Sequence, residues 1–227
     1  PSVSDYEEAF LPFAKAGTPV ICICITTKFS GSMQSALNAR SLILEHYPKA
    51  QITVIDATVN TVLQGQYVLE AAALRDSGAG YQETIDRLEQ IKSTGRIFFT
   101  VGTMEYLKHG GRIGKVAALA GGILDIRPVI TLKEGEIFPS GIDRGRKRTL
   151  QKVMELLLEY LKEKNLPMEC YSLAVGYGYD AEEGSAFRDH ALAVLKEKGY
   201  GIDEIPVYQI GATIGVHTGP YPLGFGI

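Results

Sequence analysis

Short apolar, β-branched runs alternate with helical stretches along the first half of the sequence, and this alternation limits the possible folds most strongly. Continuous apolar runs are typical of strands that are buried on both faces. The runs are residues 20–26, 52–56 and 96–101, and apolar residues at helical spacing occupy 33–46, 67–76 and 83–92. Strands that alternate with helices over about 30 residues per unit indicate βαβ crossovers. We therefore predict an α/β first half with a parallel sheet.

The pattern changes after Gly121-Gly122. Residues 124–132 and 135–142 have the pattern of two strands joined at Lys133-Glu134-Gly135, which predicts a hairpin rather than a further parallel crossover. Two helices, at 150–163 and 182–198, and two strands, at 170–175 and 201–210, are predicted to follow. The predicted fold class is α/β, with a parallel-sheet domain over 1–122 and a smaller domain with a mixed or antiparallel sheet over 123–227.

The composition excludes several classes of protein. Of the 227 residues, 45% are hydrophobic, which is enough to bury a sizeable core and excludes a disordered chain. The 23 Lys and Arg residues against 26 Asp and Glu give a net charge of −3, which disfavours binding to nucleic acid. No run of about 18 apolar residues is present, so no membrane span is predicted.

The three cysteines, Cys22, Cys24 and Cys170, cannot all pair within one chain. Cys22 and Cys24 lie on a predicted strand, and we expect their side chains to point to opposite faces of it. The cysteines and histidines lack metal-ligand spacing and no G-x-G-x-x-G motif is present, so neither a metal nor a nucleotide cofactor is predicted. The cysteine pattern indicates a reduced, cytoplasmic protein without a structural disulfide.

A polar turn follows the first predicted strand, from Thr26 to Ser35. Ligands of open α/β sheets bind beyond the carboxyl ends of the strands, where hydroxyls and helix N-terminal amides converge. Ser30 and Ser32 could therefore hold a carboxylate or a phosphate. The alternative is that one of these serines only caps the following helix. The turn lacks the G-x-S-x-G motif, which disfavours a serine nucleophile.

Two further polar segments could contact an anion. In the first, a glycine pair precedes Arg112, which could grip an anion that the backbone approaches. The local alternative is that Gly110 ends a helix, with His109 in the last turn, and that Arg112 pairs with a carboxylate within the fold. In the second, His217 and Thr218 could donate to a ligand carboxylate, or His217 could be a structural residue, and both interpretations stay open.

Arg144, Arg146, Lys147 and Arg148 form the only basic cluster of the sequence. Such a cluster could bind a phosphate or the acidic surface of a partner protein. The alternative is a solvated edge, which is the usual role of basic residues at the start of a helix.

Taken together and in this order, these segments resemble the DegV family of bacterial fatty-acid-binding proteins. Each motif is weak alone, but the ordered set is specific and covers essentially the whole chain. The matching segments are Pro1-Ser2, Ser30-Gly31-Ser32-Met33-Gln34-Ser35-Ala36, Val54-Ile55-Asp56, Met104-Glu105-Tyr106-Leu107, Gly110-Gly111-Arg112-Ile113, Arg127-Pro128, Arg144-Gly145-Arg146-Lys147 and His217-Thr218-Gly219-Pro220.

The resemblance implies two α/β domains with a long-chain fatty acid, such as palmitate, buried in a tunnel between them. It also implies that a separate fatty acid kinase converts the presented carboxylate to an acyl phosphate, so that the chain is a lipid carrier without catalytic residues or a metal of its own. The alternative is a small-molecule kinase or phosphotransferase subunit of a related α/β fold, but no P-loop or acidic magnesium cluster supports it.

The resemblance further assigns individual residues. The implied ligand-binding residues are Ser2, Ser30, Ser32, His217 and Thr218, and residues from about 211 to 227 are expected to return to the ligand site. Arg144 is the residue expected to contact the kinase.

The sequence departs from the family pattern in four places. The family has a stretch with its first strand and helix before the point where this sequence begins, and a Thr of that stretch helps to hold the carboxylate. Ser32 stands where Thr is usual, Tyr221-Pro222 replaces a Gly-Ala, and Ile142 replaces a Lys near the basic cluster.

Overall fold

The computed structural model describes residues 1–119 and 126–227. The described residues divide into two compact units. The first unit contains Pro1–Asn60 and Gln64–Thr94, and the second contains Thr61–Leu63 and Gly95–Ile227. The predicted boundary near 121–123 lies outside the described residues and stays a prediction.

The first unit places helices around a short parallel sheet. Its elements are α1 (Val3–Ala16), β1 (Val20–Cys24), α2 (Ser32–His46), β2 (Ile52–Asp56), α3 (Thr61–Asp76, whose first turn belongs to the second unit) and α4 (Tyr81–Ile91). β1 and β2 are parallel, with Val20 opposite Ile52 and Cys24 opposite Asp56. The predicted parallel pairing of these two strands is therefore confirmed.

Helix α1 was not predicted, although its start carries a clear local signal. Ser2 and Asp5 form a capping box, in which the Asp5 amide donates to the Ser2 hydroxyl at 3.2 Å and the Ser2 amide donates to the Asp5 carboxylate at 2.7 Å. The helix packs on α2 and β1 through a core of one aromatic ring and several small or aliphatic side chains. This core consists of Phe10, Ala14, Cys24, Ala36, Ala39, Ile43 and Ile52.

The second unit is built on a mixed six-stranded sheet. Its elements are β3 (Ile97–Thr100), α5 (Glu105–His109), a 3-10 segment (Gly114–Leu119), β4 (Ile126–Lys133), β5 (Glu136–Arg144), α6 (Arg146–Lys164), a 3-10 turn (Met168–Cys170), β6 (Ala174–Tyr177), α7 (Ala181–Glu197), β7 (Val207–Gln209), α8 (Ala212–Thr218) and β8 (Leu223–Gly226). The strand order is β5-β4-β3-β8-β6-β7. β4 and β5 form the predicted antiparallel hairpin, and β6 and β7 are parallel, so the mixed sheet is confirmed.

The third predicted strand was assigned to the wrong sheet. β3 pairs antiparallel with β4 on one side and with β8 on the other, so it belongs to the second unit and not to the parallel sheet of the first. An apolar run such as Ile97–Thr100 is compatible with either pairing direction, because both directions bury both faces of a central strand. The second unit, predicted to be the smaller, is consequently the larger.

The C-terminal segment supplies a central strand that the sequence did not predict. Leu223 and Phe225 of β8 are buried, and the ring of Phe225 stacks on Phe187 of α7 at 4.6 Å between centroids. Gly224 lies against the backbone of β3, where a Cβ atom would overlap the Phe98 carbonyl oxygen. The close approach of the strands therefore requires glycine at this position, and that glycine also hides the strand pattern from sequence analysis.

Candidate functional site

The polar turn after β1 is held in place by the carboxyl end of β2. Thr27 donates to Asp56 from its hydroxyl at 2.7 Å and from its amide at 3.2 Å. The other carboxylate oxygen of Asp56 accepts from the Thr58 amide at 2.7 Å, and the buried Thr26 donates from its amide to the Val59 carbonyl at 3.0 Å. Asp56 therefore organises this turn, a role that the sequence analysis did not assign to it.

Ser30 accepts a hydrogen bond from the first residue of α2 and keeps a hydrogen-bond donor. Its Oγ accepts from the Ser32 amide, which opens α2, at 3.1 Å. A hydroxyl that accepts through a lone pair still has its own O–H to donate, and no described residue accepts it. The N-cap residue of α2 is Gly31, so neither serine is the N-cap as predicted, but Ser30 satisfies the first amide of the helix and is still able to donate to a carboxylate.

Ser32 and Ser2 have partners inside the first unit. Ser32 Oγ lies 2.5 Å from the hydroxyl of Tyr6 on α1, so it links the two helices. Ser2 is an exposed residue whose hydroxyl is used in the capping box of α1. Ligand contacts by Ser2 and Ser32 stay predictions.

In the second unit, α5 and α8 pack against each other through glycines. A Cβ atom on Gly110 would overlap Nδ1 of His217 and lie 3.0 Å from Cε1 of the same ring. A Cβ atom on Gly219 would lie 2.5 Å from Cδ2 of Tyr106. The glycines of both motifs therefore admit a ring from the other helix, which brings the 104–113 and 217–220 motifs together.

The His217 imidazole is the polar group most clearly in need of a partner in this part of the structure. Its Nδ1 is buried and has no hydrogen-bond partner among the described residues. Burial lowers the pKa of His217 below its usual value, and the positive charge of Arg112 lowers it further. The ring is consequently neutral near pH 7 and can offer one N–H donor and one acceptor.

The residues around Arg112 take the local roles considered from the sequence. Gly110 ends α5 and donates from its amide to the Tyr106 carbonyl at 2.9 Å, and Nδ1 of His109 lies 2.8 Å from the Glu105 carbonyl oxygen. Both the helix cap at Gly110 and the last-turn role of His109 are therefore confirmed. Arg112 donates to the Gly110 carbonyl at 2.6 Å, and its charge influences His217. Its closeness to His217 was not predicted, because it arises from helix packing.

Thr218 is buried and bonded within its own helix. Its hydroxyl donates to the Ile214 carbonyl at 3.2 Å, one turn earlier in α8. That bond holds the last turn of α8, and with it the adjacent His217. A direct ligand contact by Thr218 stays a prediction.

The basic cluster divides into two kinds of residue. Arg146 forms a bidentate ion pair with Glu183 of α7 at 2.7 Å and also donates to the Tyr221 carbonyl at 2.9 Å, so it joins α6 to α7 and to the C-terminal segment. Arg144, at the end of β5, is exposed, and its guanidinium forms no ion pair within the described part of the chain. Arg144 can therefore meet a partner, whereas Arg146 is structural.

The described residues contain no group of three or more His, Cys, Asp or Glu side chains placed to hold a metal ion. Within residues 1–119 and 126–227, no helix combines the length and apolar character needed to cross a membrane.

Comparisons with known proteins extend over the whole chain. The sequence profile of the DegV family, described as one of uncharacterised proteins, matches residues 1–227. A DegV domain-containing protein from Clostridium perfringens is 32% identical over 226 residues, which are 99% of this chain and 76% of the relative.

Two solved structures are similar in both sequence and fold. A stearic acid-binding protein from Eubacterium ventriosum is 42% identical, with a TM-score of 0.90 over 100% of this chain and 75% of its own. A DegV family protein from Thermus thermophilus, described by its fatty acid binding, is 30% identical, with a TM-score of 0.85 over 100% of this chain and 76% of its own. With a family profile that matches from the first residue to the last, the chain belongs to the DegV family.

Proposed function

We propose that this protein binds a long-chain fatty acid with His217 beside the carboxylate, and presents that carboxylate to a partner fatty acid kinase for acyl-phosphate formation. The observation that carries the binding proposal is the buried Nδ1 of His217, which has no hydrogen-bond partner among the described residues. A buried polar atom without a partner costs free energy, and a ligand carboxylate removes that cost by accepting an N–H bond. The similarity to a stearic acid-binding protein that is 42% identical supports the same ligand class.

The energetics of a fatty acid suit a head-group site of this kind. Burying an acyl chain of about sixteen carbons, at ~0.8 kcal/mol per CH₂, contributes about 12 kcal/mol before the costs of binding. The head group then needs orientation more than affinity, which hydroxyl and imidazole donors supply. Ser30 is the proposed hydroxyl donor, because its O–H has no acceptor within the described residues and it lies where β1 leads into α2.

Binding changes the protonation of His217 in a defined direction. Without ligand, burial and Arg112 keep the pKa of this imidazole below its usual value. A carboxylate nearby favours the imidazolium, so the pKa of His217 rises when the fatty acid binds. A carboxylate held in this way keeps unshared electron pairs for attack on a phosphate.

The proposed kinase contact is Arg144. Arg144 is exposed and unpaired within the described residues, while the neighbouring Arg146 is committed to Glu183. An exposed cation on a chain of net charge −3 can steer an acidic partner surface to one place.

Native mass spectrometry tests the proposed ligand class. The protein purified from a bacterial host is expected to carry a mass in the fatty acid range that denaturation releases. An empty protein that also fails to take up added palmitate contradicts the carrier, and ATP hydrolysis by the chain alone supports the phosphotransferase alternative. Acyl-phosphate formation from palmitate and ATP, dependent on both this protein and a fatty acid kinase, tests the second step.

A further inference from the structure

Cys22 and Cys24 point to the same face of β1, and the prediction of opposite faces is wrong. Residues two positions apart in a strand share a face, because the side-chain period is two. Their sulfur atoms lie 3.8 Å apart, which is within hydrogen-bond distance for two thiols. Both side chains belong to the packed face between β1 and the helices α1 and α2, with Cys24 buried and Cys22 partly exposed.

Cys24 also lies in a small polar network. Its sulfur is 3.7 Å from the hydroxyl of Tyr6, which in turn lies 2.5 Å from the hydroxyl of Ser32. Hydrogen bonding from the Cys22 thiol, assisted by Tyr6 and Ser32, lowers the pKa of Cys24 below its usual value, although burial opposes this effect. The thiolate is the reactive form of cysteine, and donors that stabilise it increase the fraction present near neutral pH.

We propose that Cys22 and Cys24 form a reversible redox site in which a peroxide oxidises Cys24 and Cys22 then closes an intrastrand disulfide. The site consists of first-unit residues alone. Ser32 is also one of the residues that the family resemblance assigns to the ligand, but the redox proposal does not depend on that assignment. The paired sulfurs and the hydroxyl network around Cys24 carry the inference, because they bring the attacking and the resolving sulfur into contact before any oxidant arrives.

The chemistry balances with a peroxide as the only co-reactant. The Cys24 thiolate attacks the O–O bond, which breaks to give a sulfenic acid and release an alcohol or water after protonation. The Cys22 sulfur then attacks the sulfenic sulfur, the S–O bond breaks, and the Cys22 proton leaves with the departing oxygen as water. Two thiols are oxidised and one peroxide is reduced.

Strand geometry makes the bridge possible but strained. Two residues of a strand span about 6.6 Å between Cα atoms and a similar distance between Cβ atoms, whereas a disulfide places its Cβ atoms about 3.5–4.5 Å apart, so closing the sulfurs to about 2.04 Å requires a local distortion of β1. A strained disulfide has a more oxidising potential and is reduced readily. The product is therefore a labile bond suited to a reversible response.

Peptide mapping after peroxide treatment tests the proposal on the intact wild-type chain. Trypsin cleaves after Lys15 and Lys28, so residues 16–28 carry both Cys22 and Cys24, while Cys170 falls in another peptide and serves as the internal control. After hydrogen peroxide, the 16–28 peptide is expected to be lighter by two hydrogens, and dithiothreitol is expected to restore it. Of the three thiols in the chain, those of Cys22 and Cys24 are therefore expected to be oxidised reversibly.

The variant Cys22→Ser removes the resolving sulfur, and dimedone is expected to label Cys24 as a sulfenic acid in it. Cys24→Ser is the matched control and is expected to give no dimedone adduct on residues 16–28. Because these positions are packed, the wild-type map decides the matter if either variant fails to fold. The proposal is overturned if residues 16–28 keep both thiols at a peroxide dose that oxidises Cys170, or if their cysteines reach sulfonic acid without an intervening disulfide.

Discussion

The packing of His217 on Gly110 can be tested by adding one methyl group. Gly110 has helical backbone angles, φ −74° and ψ −4°, so Gly110→Ala introduces no backbone strain. The new Cβ atom would nevertheless overlap Nδ1 of His217 and lie 3.0 and 3.1 Å from Cε1 and Cγ. The three atoms nearest to the new methyl group all belong to the imidazole, so the substitution acts first on His217.

Two effects of opposite sign set the magnitude. Overpacking of this kind costs about 1–3 kcal/mol, whereas replacing glycine by alanine at a compatible backbone position stabilises by about 0.4–1 kcal/mol. We expect Gly110→Ala to destabilise the wild type by about 1–2 kcal/mol. In a His217→Ala background the overlap is gone, and the same substitution is expected to be neutral or stabilising by up to ~1 kcal/mol.

Urea unfolding followed by circular dichroism measures both arms of this cycle, since the chain has no Trp to serve as a fluorescence probe. Gly215→Ala is the matched control, because it lies in α8 beside His217 and its Cβ would meet nothing within 4 Å. That variant is expected to be at least as stable as the wild type. The packing is refuted if Gly110→Ala changes the free energy of unfolding equally with and without His217 and also leaves fatty acid affinity unchanged.

Three further predictions address the ligand, the partner and the pH dependence. Ser30→Ala is expected to weaken palmitate binding roughly 10- to 150-fold, because it removes a hydrogen bond to a charged group that is worth about 1.5–3 kcal/mol. Titration calorimetry measures this affinity. Unchanged affinity with an intact fold would limit Ser30 to its hydrogen bond with α2. Arg144→Glu is expected to leave palmitate binding unchanged and to slow acyl-phosphate formation in a salt-sensitive manner. Lys162→Glu makes the same charge change on the exposed end of α6 and is expected to affect neither assay. Loss of palmitate binding in Arg144→Glu, or normal results in both assays, contradicts the kinase contact. Because the folded-state pKa of His217 is lowered, its contribution to stability is complete above the unfolded pKa near 6.5 and is lost as the pH falls through the folded pKa. The free energy of unfolding should therefore drop more between about pH 7.5 and about pH 5.5 in the wild type than in His217→Gln, and equal drops contradict the assigned shift.

Local sequence patterns predicted the elements whose signal lies in a single segment. β1 and β2 are continuous β-branched runs, and the cap at Gly110 follows from a glycine at the end of a short helix. β8 was not predicted because its sequence, Leu-Gly-Phe-Gly, lacks the residues typical of strands. Glycine at position 224 is required by contact with β3 rather than by any local preference. The sheet to which β3 belongs was not predicted correctly, because an apolar run does not determine whether its neighbouring strands are parallel or antiparallel.

The same contrast, between features with a local sequence signal and features that depend on packing, applies to the candidate site. Ser30 was predicted from its place after an apolar strand, His217 from the polar turn that it forms with Thr218, and both from the family resemblance; both stay predictions. The contact of His217 with Gly110, and the influence of Arg112 on it, depend on packing between α5 and α8, which the sequence does not specify. Asp56 belongs to one of the family motifs, but its hydrogen bond to Thr27 depends on the parallel pairing of β1 and β2.

The central claim, that a fatty acid carboxylate lies beside His217, is tested most directly by the NMR titration of its ring. The chain has four histidines, so His217→Gln assigns the signal and His46, His109 and His190 serve as controls in the same spectrum. Without ligand, the pKa of His217 is expected below its usual value, because burial and Arg112 disfavour the imidazolium. Saturating palmitate is expected to raise the pKa of His217 and to leave the three controls unchanged. A His217 titration that is identical with and without bound palmitate would contradict the account.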